Sequence, residues 1–163
     1  LATTWARIGK RPVFRRVTKE RRAISTAVAL TLSGKIYKKH FEGSVNSENL
    51  VVAVEHMRSQ IQDRLIILIW DRARIHKSKV TKNYLQQHPD IFIEELPAYA
   101  PQLNPEEYCH GNVKQHLRNA CPKTKEDIRS MLNLGFARLR RRPDLILSFF
   151  HAAGLSVRQL RLP

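Results

Sequence analysis

Residues 65–71, Leu-Ile-Ile-Leu-Ile-Trp-Asp, constrain the fold more than any other stretch: an apolar run that stops abruptly on a carboxylate. The run is too short for an independent helix, which needs about 10–12 residues, and its isoleucines favour an extended chain. Apolar and polar positions do not alternate, so the expectation is a central strand, Leu65–Trp70, covered on both faces. Asp71 then stands at the carboxyl end of that strand, where open α/β sheets gather their chemistry.

The rest of the chain supplies neighbours for this strand. Arg22 to Phe41 reads as a hairpin, with small and β-branched residues in its first arm, Ser33-Gly34 at the turn and a more charged second arm. Asn46 or Ser47 can cap a helix from about Glu48 to Gln62, in which Leu50, Val51, Val54, Met57 and Ile61 recur at helical spacing. Lys77 to Gln87 reads as a short helix and Ile91 to Leu96 as the next strand. Asn104 starts a helix to about Asn119, with Pro105 at its first position and Glu107 where a capping box would place an acid. Thr124 caps a helix to about Arg142, and Asp144 to Ala153 forms a last apolar helix stopped by Gly154. This order predicts a mixed α/β sheet with helices on both faces. A ribonuclease H-like fold fits it, provided that one strand precedes Leu1 or begins near it.

Charge narrows the partner. The 163 residues carry 29 Lys+Arg against 14 Asp+Glu, a formal net charge of +15, which points to a polyanion more than to mere solubility. Arg7, Lys10, Arg11, Arg15, Arg16, Lys19, Arg21 and Arg22 make a basic arm facing only Glu20, and Arg140, Arg141 and Arg142 make a second cluster. Both are expected to hold a DNA backbone; the plainer reading of the arm is a solvated loop that blunts a sheet edge. Aromatic residues are only 7% and show no stacking-platform pattern, which counts against an RNA-binding structural protein. Cys109 and Cys121 have neither metal-site spacing nor a disulfide framework, so free thiols and a reducing cytoplasm are expected. No apolar run approaches the roughly 20 residues that span a bilayer, no signal-peptide pattern opens the chain, and no organic cofactor is implied.

The candidate chemistry lies in the carboxylates. Phosphodiester cleavage needs an activated water and a stabilised leaving oxygen, which two divalent ions held by hard carboxylate oxygens can supply. Asp71 at a strand end and Glu107 at a helix start are the natural ligands. Each has a plainer use: Asp71 can close the turn after its strand, and Glu107 can complete a capping box with Asn104.

Their surroundings decide between these readings. Trp70-Asp71-Arg72-Ala73-Arg74-Ile75-His76-Lys77-Ser78, followed by Leu96-Pro97-Ala98-Tyr99-Ala100-Pro101-Gln102-Leu103-Asn104-Pro105-Glu106-Glu107, resembles the DDE superfamily endonuclease domain of mariner-like and bacterial insertion-sequence transposases. In that family a W-D-x-x-x-x-H-x-S segment carries the second catalytic Asp, and L-P-x-Y-[SA]-P-x-L-N-P-x-E carries the final acid. Upstream, Thr4-Trp5-Ala6-Arg7 through Pro12-Val13 resembles the stretch just after the family's first catalytic Asp, so the likeness spans nearly the whole chain.

The resemblance implies that Asp71 and Glu107 are catalytic and hold Mg²⁺ or Mn²⁺, two ions in an intact site. Glu106, in a variable slot, is a further metal candidate behind Glu107. His76 and Ser78 would support the site, and Asn104 and Pro105 would aim Glu107. It implies cleavage of element ends and strand transfer into target DNA, a homodimer for synapsis, and a bacterial cytosol or nucleoid. The family's first Asp has no counterpart, because no acid precedes Glu20 and Glu20 does not match the motif. The expectation is therefore one catalytic domain over residues 1–163, lacking the first catalytic strand and the helix-turn-helix region. The rivals are a catalytically incomplete remnant that binds DNA by charge alone, and another ribonuclease H-like nuclease acting on hybrids or junctions.

Overall fold

A computed structural model of the chain describes residues 7–9, 23–61, 65–118, 120 and 122–155. Strands β1 (Ile24–Leu30) and β2 (Ile36–Glu42) form an antiparallel hairpin in which Leu30 faces Ile36 and Ile24 faces Glu42. Gly34 turns the hairpin at φ +77°, and a Cβ built there would stand 2.9 Å from Cβ of Pro143. Only glycine suits both the left-handed backbone and the close approach.

Helix α1 (Ser47–Ile61) follows and buries Leu50, Val54 and Met57 along one stripe. Strand β3 (Ile66–Trp70) leads through a 3₁₀ turn, Arg74–Lys77, into α2 (Lys79–Gln86), and β4 (Ile91–Glu95) returns parallel to β3. A loop containing a second 3₁₀ turn, Pro101–Leu103, leads to α3 (Pro105–His116). Helices α4 (Lys125–Arg140) and α5 (Pro143–Ala152) complete the described chain. Thr124 and Asp127 close a reciprocal capping box at the start of α4, as Thr-x-x-Asp spacing permits.

Two apolar clusters organise these elements. Cys109 and Val113 of α3, Phe136 and Leu139 of α4, and Ile146, Phe149 and Phe150 of α5 pack with Ile36 of the hairpin. Gly135 lets α4 come close to α3: a Cβ there would lie 3.1 Å from Cγ1 of Val113. The second cluster joins Leu50, Val54 and Met57 to Ile66, Trp70 and Ile91. Residues of β1 and β2 serve both, Val28, Leu30 and Ile36 on one side and Ala29 and Tyr37 on the other. The hairpin is thus sandwiched.

The expectation that residues 65–70 are covered on both faces does not hold. Ile66 and Trp70 are buried, but Ile67 is 68% and Ile69 56% exposed, beside Phe92 on β4 at 54%. Among the described residues the strands also sort into two pairs, β1–β2 and β3–β4, rather than one continuous ladder. The physical reason is that α1 and α2 reach only one face of β3–β4, whereas the hairpin has α1 on one side and the later helices on the other.

Candidate active site

Asp71 is the first residue beyond β3, and three local ties fix its position. Its Oδ1 accepts a hydrogen bond from the Ala73 amide at 3.0 Å, turning the chain out of the strand. The His76 Nδ1 lies 2.7 Å from the Asp71 carbonyl oxygen and 3.0 Å from Oδ1. The imidazole is clamped in turn by stacking on Trp70, with ring centroids 4.3 Å apart and planes 4° from parallel. Spacing of the Trp-Asp-x-x-x-x-His segment thus becomes a physical unit: the buried Trp holds the His, and the His holds the Asp. The carboxylate itself remains 57% exposed, so it keeps capacity for a ligand.

Ser78 stands further off, capping α2 by accepting from the Thr81 amide at 3.2 Å. Thr81 is buried and donates its hydroxyl hydrogen to the Ile75 carbonyl at 2.7 Å. Ser78 therefore steadies the segment after Asp71 without reaching the site.

The opposite wall is built by the loop 96–104. The Leu96 amide donates to the Trp70 carbonyl at 2.8 Å, tying the start of the loop to the end of β3. Pro97 and Pro101 restrict φ at two points. Asn104 caps α3 by accepting from the Glu106 amide at 3.1 Å, while its own amide donates to the Pro101 carbonyl at 3.0 Å. Pro105 occupies the first helical position. No reciprocal capping box forms; the Glu107 side chain is left for other work and lines a cleft with Asp71. That cleft, of about 330 Å³, is also walled by Arg72, Pro97, Tyr99 and Asn104.

Glu106 and Glu107 are sequence neighbours with opposite environments. Glu107 is exposed, whereas Glu106 is mostly covered and its Oε1 lies 3.0 Å from Nε2 of His110, one helical turn on. Burial, followed by the negative charge of Glu107, pushes Glu106 up to about 7, with a further contribution from Asp71. Burial pushes the His110 imidazole below its usual range. Glu106 is committed to His110 and is absent from the lining of the cleft, which leaves Glu107 as the better-placed acid. The Glu106–His110 pair escaped the sequence reading, although the i, i+4 spacing could have flagged it. Glu95, another acid at a strand end, is held by Arg72 at 3.2 Å and Lys77 at 3.3 Å.

The donor chemistry suits a hard divalent cation. Two carboxylates from separate elements share one open cleft, and Mg²⁺ commonly takes one or two carboxylates and completes its shell with water and phosphate. Among the described residues no group of three His, Cys, Asp or Glu side chains converges on one point.

The basic residues are less fully described. Arg7 is exposed; Lys10, Arg11, Arg15, Arg16, Lys19, Arg21 and Arg22 lie outside the described residues. In the second cluster Arg140 donates to the Ile36 carbonyl at 3.3 Å and Arg142 forms a forked pair with Asp144, at 2.7 Å for its closest contact. Arg141 is exposed. Arg138 is held by Asn112. Cys109 is a free, buried thiol. No helix among the described residues is long and apolar enough to cross a membrane.

A strand-end Asp and a helix-start Glu thus line one cleft beside a proline-bracketed loop, and comparison with known families shows which class of protein shares this sequence. The model of the DDE superfamily endonucleases matches residues 1–129, and the chain belongs to that family. Its fold is ribonuclease H-like, shared with the catalytic domain of Mos1 mariner transposase at 18% identity and a TM-score of 0.57, over 80% of this chain and 74% of that one. The pre-cleavage Mos1 transpososome aligns with a TM-score of 0.64 at 18% identity, over 95% of this chain and 52% of that one. The Mos1 paired end complex with Mn aligns at 0.60 and 19% identity, over 94% and 51%. The chain thus spans about half the length of the Mos1 chains in those complexes. No curated protein sequence matches it.

Proposed function

We propose that residues 1–163 form the catalytic domain of a transposase, which cuts DNA at element ends and joins the freed 3′-hydroxyl to target DNA. The observation that carries this reading is the single cleft lined by both Asp71 and Glu107, which lie in separate motifs and on separate elements. The family match and the Mos1 complexes support it.

Asp71 and Glu107 are assigned as the ligands of Mg²⁺ or Mn²⁺, in a site for two ions. When bound, such ions lower the pKa of an attacking water and stabilise the leaving oxygen of an in-line displacement. His76 and Trp70 orient Asp71; Asn104 and Pro105 set the helix start that presents Glu107. Glu106 takes the role of a neighbour held by His110 rather than a ligand. With two acids in the described cleft, a further acid has to come from outside the described residues. The basic arm, with Arg141, holds the DNA backbone by contacts that position without reading sequence, and two copies of the domain serve two element ends.

Nicking of supercoiled plasmid in Mn²⁺ tests this function. Nicking that Asp71→Asn or Glu107→Gln removes, with salt-sensitive DNA binding retained, supports the assignment. Binding without nicking supports a domain that needs its further acid supplied. Nicking of equal rate in the Asp71 variant contradicts the assignment of Asp71. Replacing Arg15 and Arg16 by Ala should flatten the salt dependence of binding, by a log–log slope of about 0.9 per lost phosphate contact; an unchanged slope removes the arm from the DNA surface.

A further inference from the structure

Four tyrosines occur in the chain, and three are used by the fold. Tyr37 packs against the second apolar cluster, Tyr84 stacks on His88 at 4.1 Å, and the Tyr108 hydroxyl donates to the carbonyls of Gln102 and Ala152. Tyr99 differs from all of them. The residue is fully exposed, at 102%, and its backbone sits at φ +56°. A bulky residue in the left-handed region costs on the order of 1 kcal/mol or more, where Gly or Asn would be accommodated with less strain. Neither packing nor backbone geometry therefore explains an aromatic residue here. Its position does: Tyr99 lies between Pro97 and Pro101 and lines the same cleft as Asp71, Glu107 and Arg72.

We propose that Tyr99 is a base-stacking residue, which holds an unpaired nucleobase at the DNA strand end whose phosphodiester lies between Asp71 and Glu107. The proposal deepens the reading of the cleft as a DNA-cleaving site and rests on it. Carboxylates can hold the reacting phosphate only through cations, and they offer nothing to the base beside it. An exposed aromatic ring on a residue that lines the cleft supplies the missing contact, and it does so for any base, because every base has a π-face. Bases inside a duplex have both faces covered, so the residue selects a frayed or single-stranded end. The two flanking prolines limit the loss of conformational freedom on stacking, since the loop is already restricted when DNA arrives.

The test uses the full chain in Mg²⁺ with a duplex bearing one unpaired 3′-terminal 2-aminopurine, and a blunt duplex of the same sequence as control. The proposal expects quenched 2-aminopurine fluorescence with the native protein and with Tyr99→Phe, and none with Tyr99→Ala. Affinity of Tyr99→Ala for the overhang should fall about 5- to 150-fold, corresponding to the roughly 1–3 kcal/mol of one base–aromatic stack, while affinity for the blunt duplex stays unchanged. Equal quenching and affinity in native protein and Tyr99→Ala would overturn the proposal alone. So would an equal loss on both duplexes. Failure of the native chain to bind either duplex would overturn the DNA reading and this proposal with it.

Discussion

The two apolar clusters differ in completeness, and each carries one of the two acids proposed for the site. Under α3, α4 and α5 the side chains of Cys109, Phe136, Leu139 and Ile146 are wholly enclosed. Around β3 and β4 the best-covered residues still show some surface, and Ile67, Ile69 and Phe92 face outward. Glu107 grows from the enclosed cluster and Asp71 from the open one. Glu107 is therefore positioned by a packed helix, whereas Asp71 relies on short-range ties to Ala73 and His76 and on the stack with Trp70. The loop 96–104 spans the two.

The strongest test of this difference is Phe136→Ala. Removing a fully enclosed ring at the meeting of α3 and α4 should cost about 3–5 kcal/mol, read as a drop in the urea midpoint. If Phe136→Ala destabilised no more than a change at Ile67, the two clusters would not differ as described.

Glu106 gives the next effect. Burial, with the charge of Glu107, pushes its carboxyl up to about 7 in the fold, against about 4.5 for a solvated glutamate in the unfolded chain. The folded state therefore binds more protons between those values, and stability falls as pH rises through that window. Glu106→Gln should lose that slope, a difference of at most about 3.5 kcal/mol at about 1.4 kcal/mol per pKa unit. Urea melts at pH 5 and pH 8 read it, and equal slopes in both proteins would mean that Glu106 is ionised as an ordinary surface acid.

Asn104→Ala removes the α3 cap and should cost about 1 kcal/mol. Activity should fall by more than that stability loss implies, because the cap also sets where Glu107 emerges; a loss of stability with unchanged nicking would separate the two. The smallest effect belongs to Ile67→Thr, within about 0.5 kcal/mol, as for other exposed positions. A larger cost would show that the open face of β3–β4 is covered in solution.

Much of this arrangement was legible in the residues. The apolar run before Asp71, the turn at Ser33-Gly34, the Asn104-Pro105 start and the Thr124 cap are local signals, and each element formed within a few residues of its expected bounds. What depended on distant packing was not legible. An isoleucine-rich run has the same sequence whether one face or two are covered, so the bare side of β3 could not be foreseen. The capping-box position of Glu107 was compatible with two fates, and only the placement of the loop 96–104 shows its side chain lining the cleft. The burial of Glu106 and its contact with His110 likewise depend on how α3 packs and could not be read from the sequence alone.

Metal-directed cleavage of the polypeptide tests the central claim most directly, because it reads the ion's position whether or not DNA is cut. Fe²⁺ with hydrogen peroxide generates hydroxyl radicals that break the backbone beside the bound ion, and ascorbate returns the Fe³⁺ to Fe²⁺. Cuts are expected near residue 71 and within 96–107, suppressed by excess Mg²⁺ and lost in Asp71→Asn. Cuts elsewhere, or cuts at these places that persist undiminished in Asp71→Asn, would contradict a divalent-metal site shared by Asp71 and Glu107.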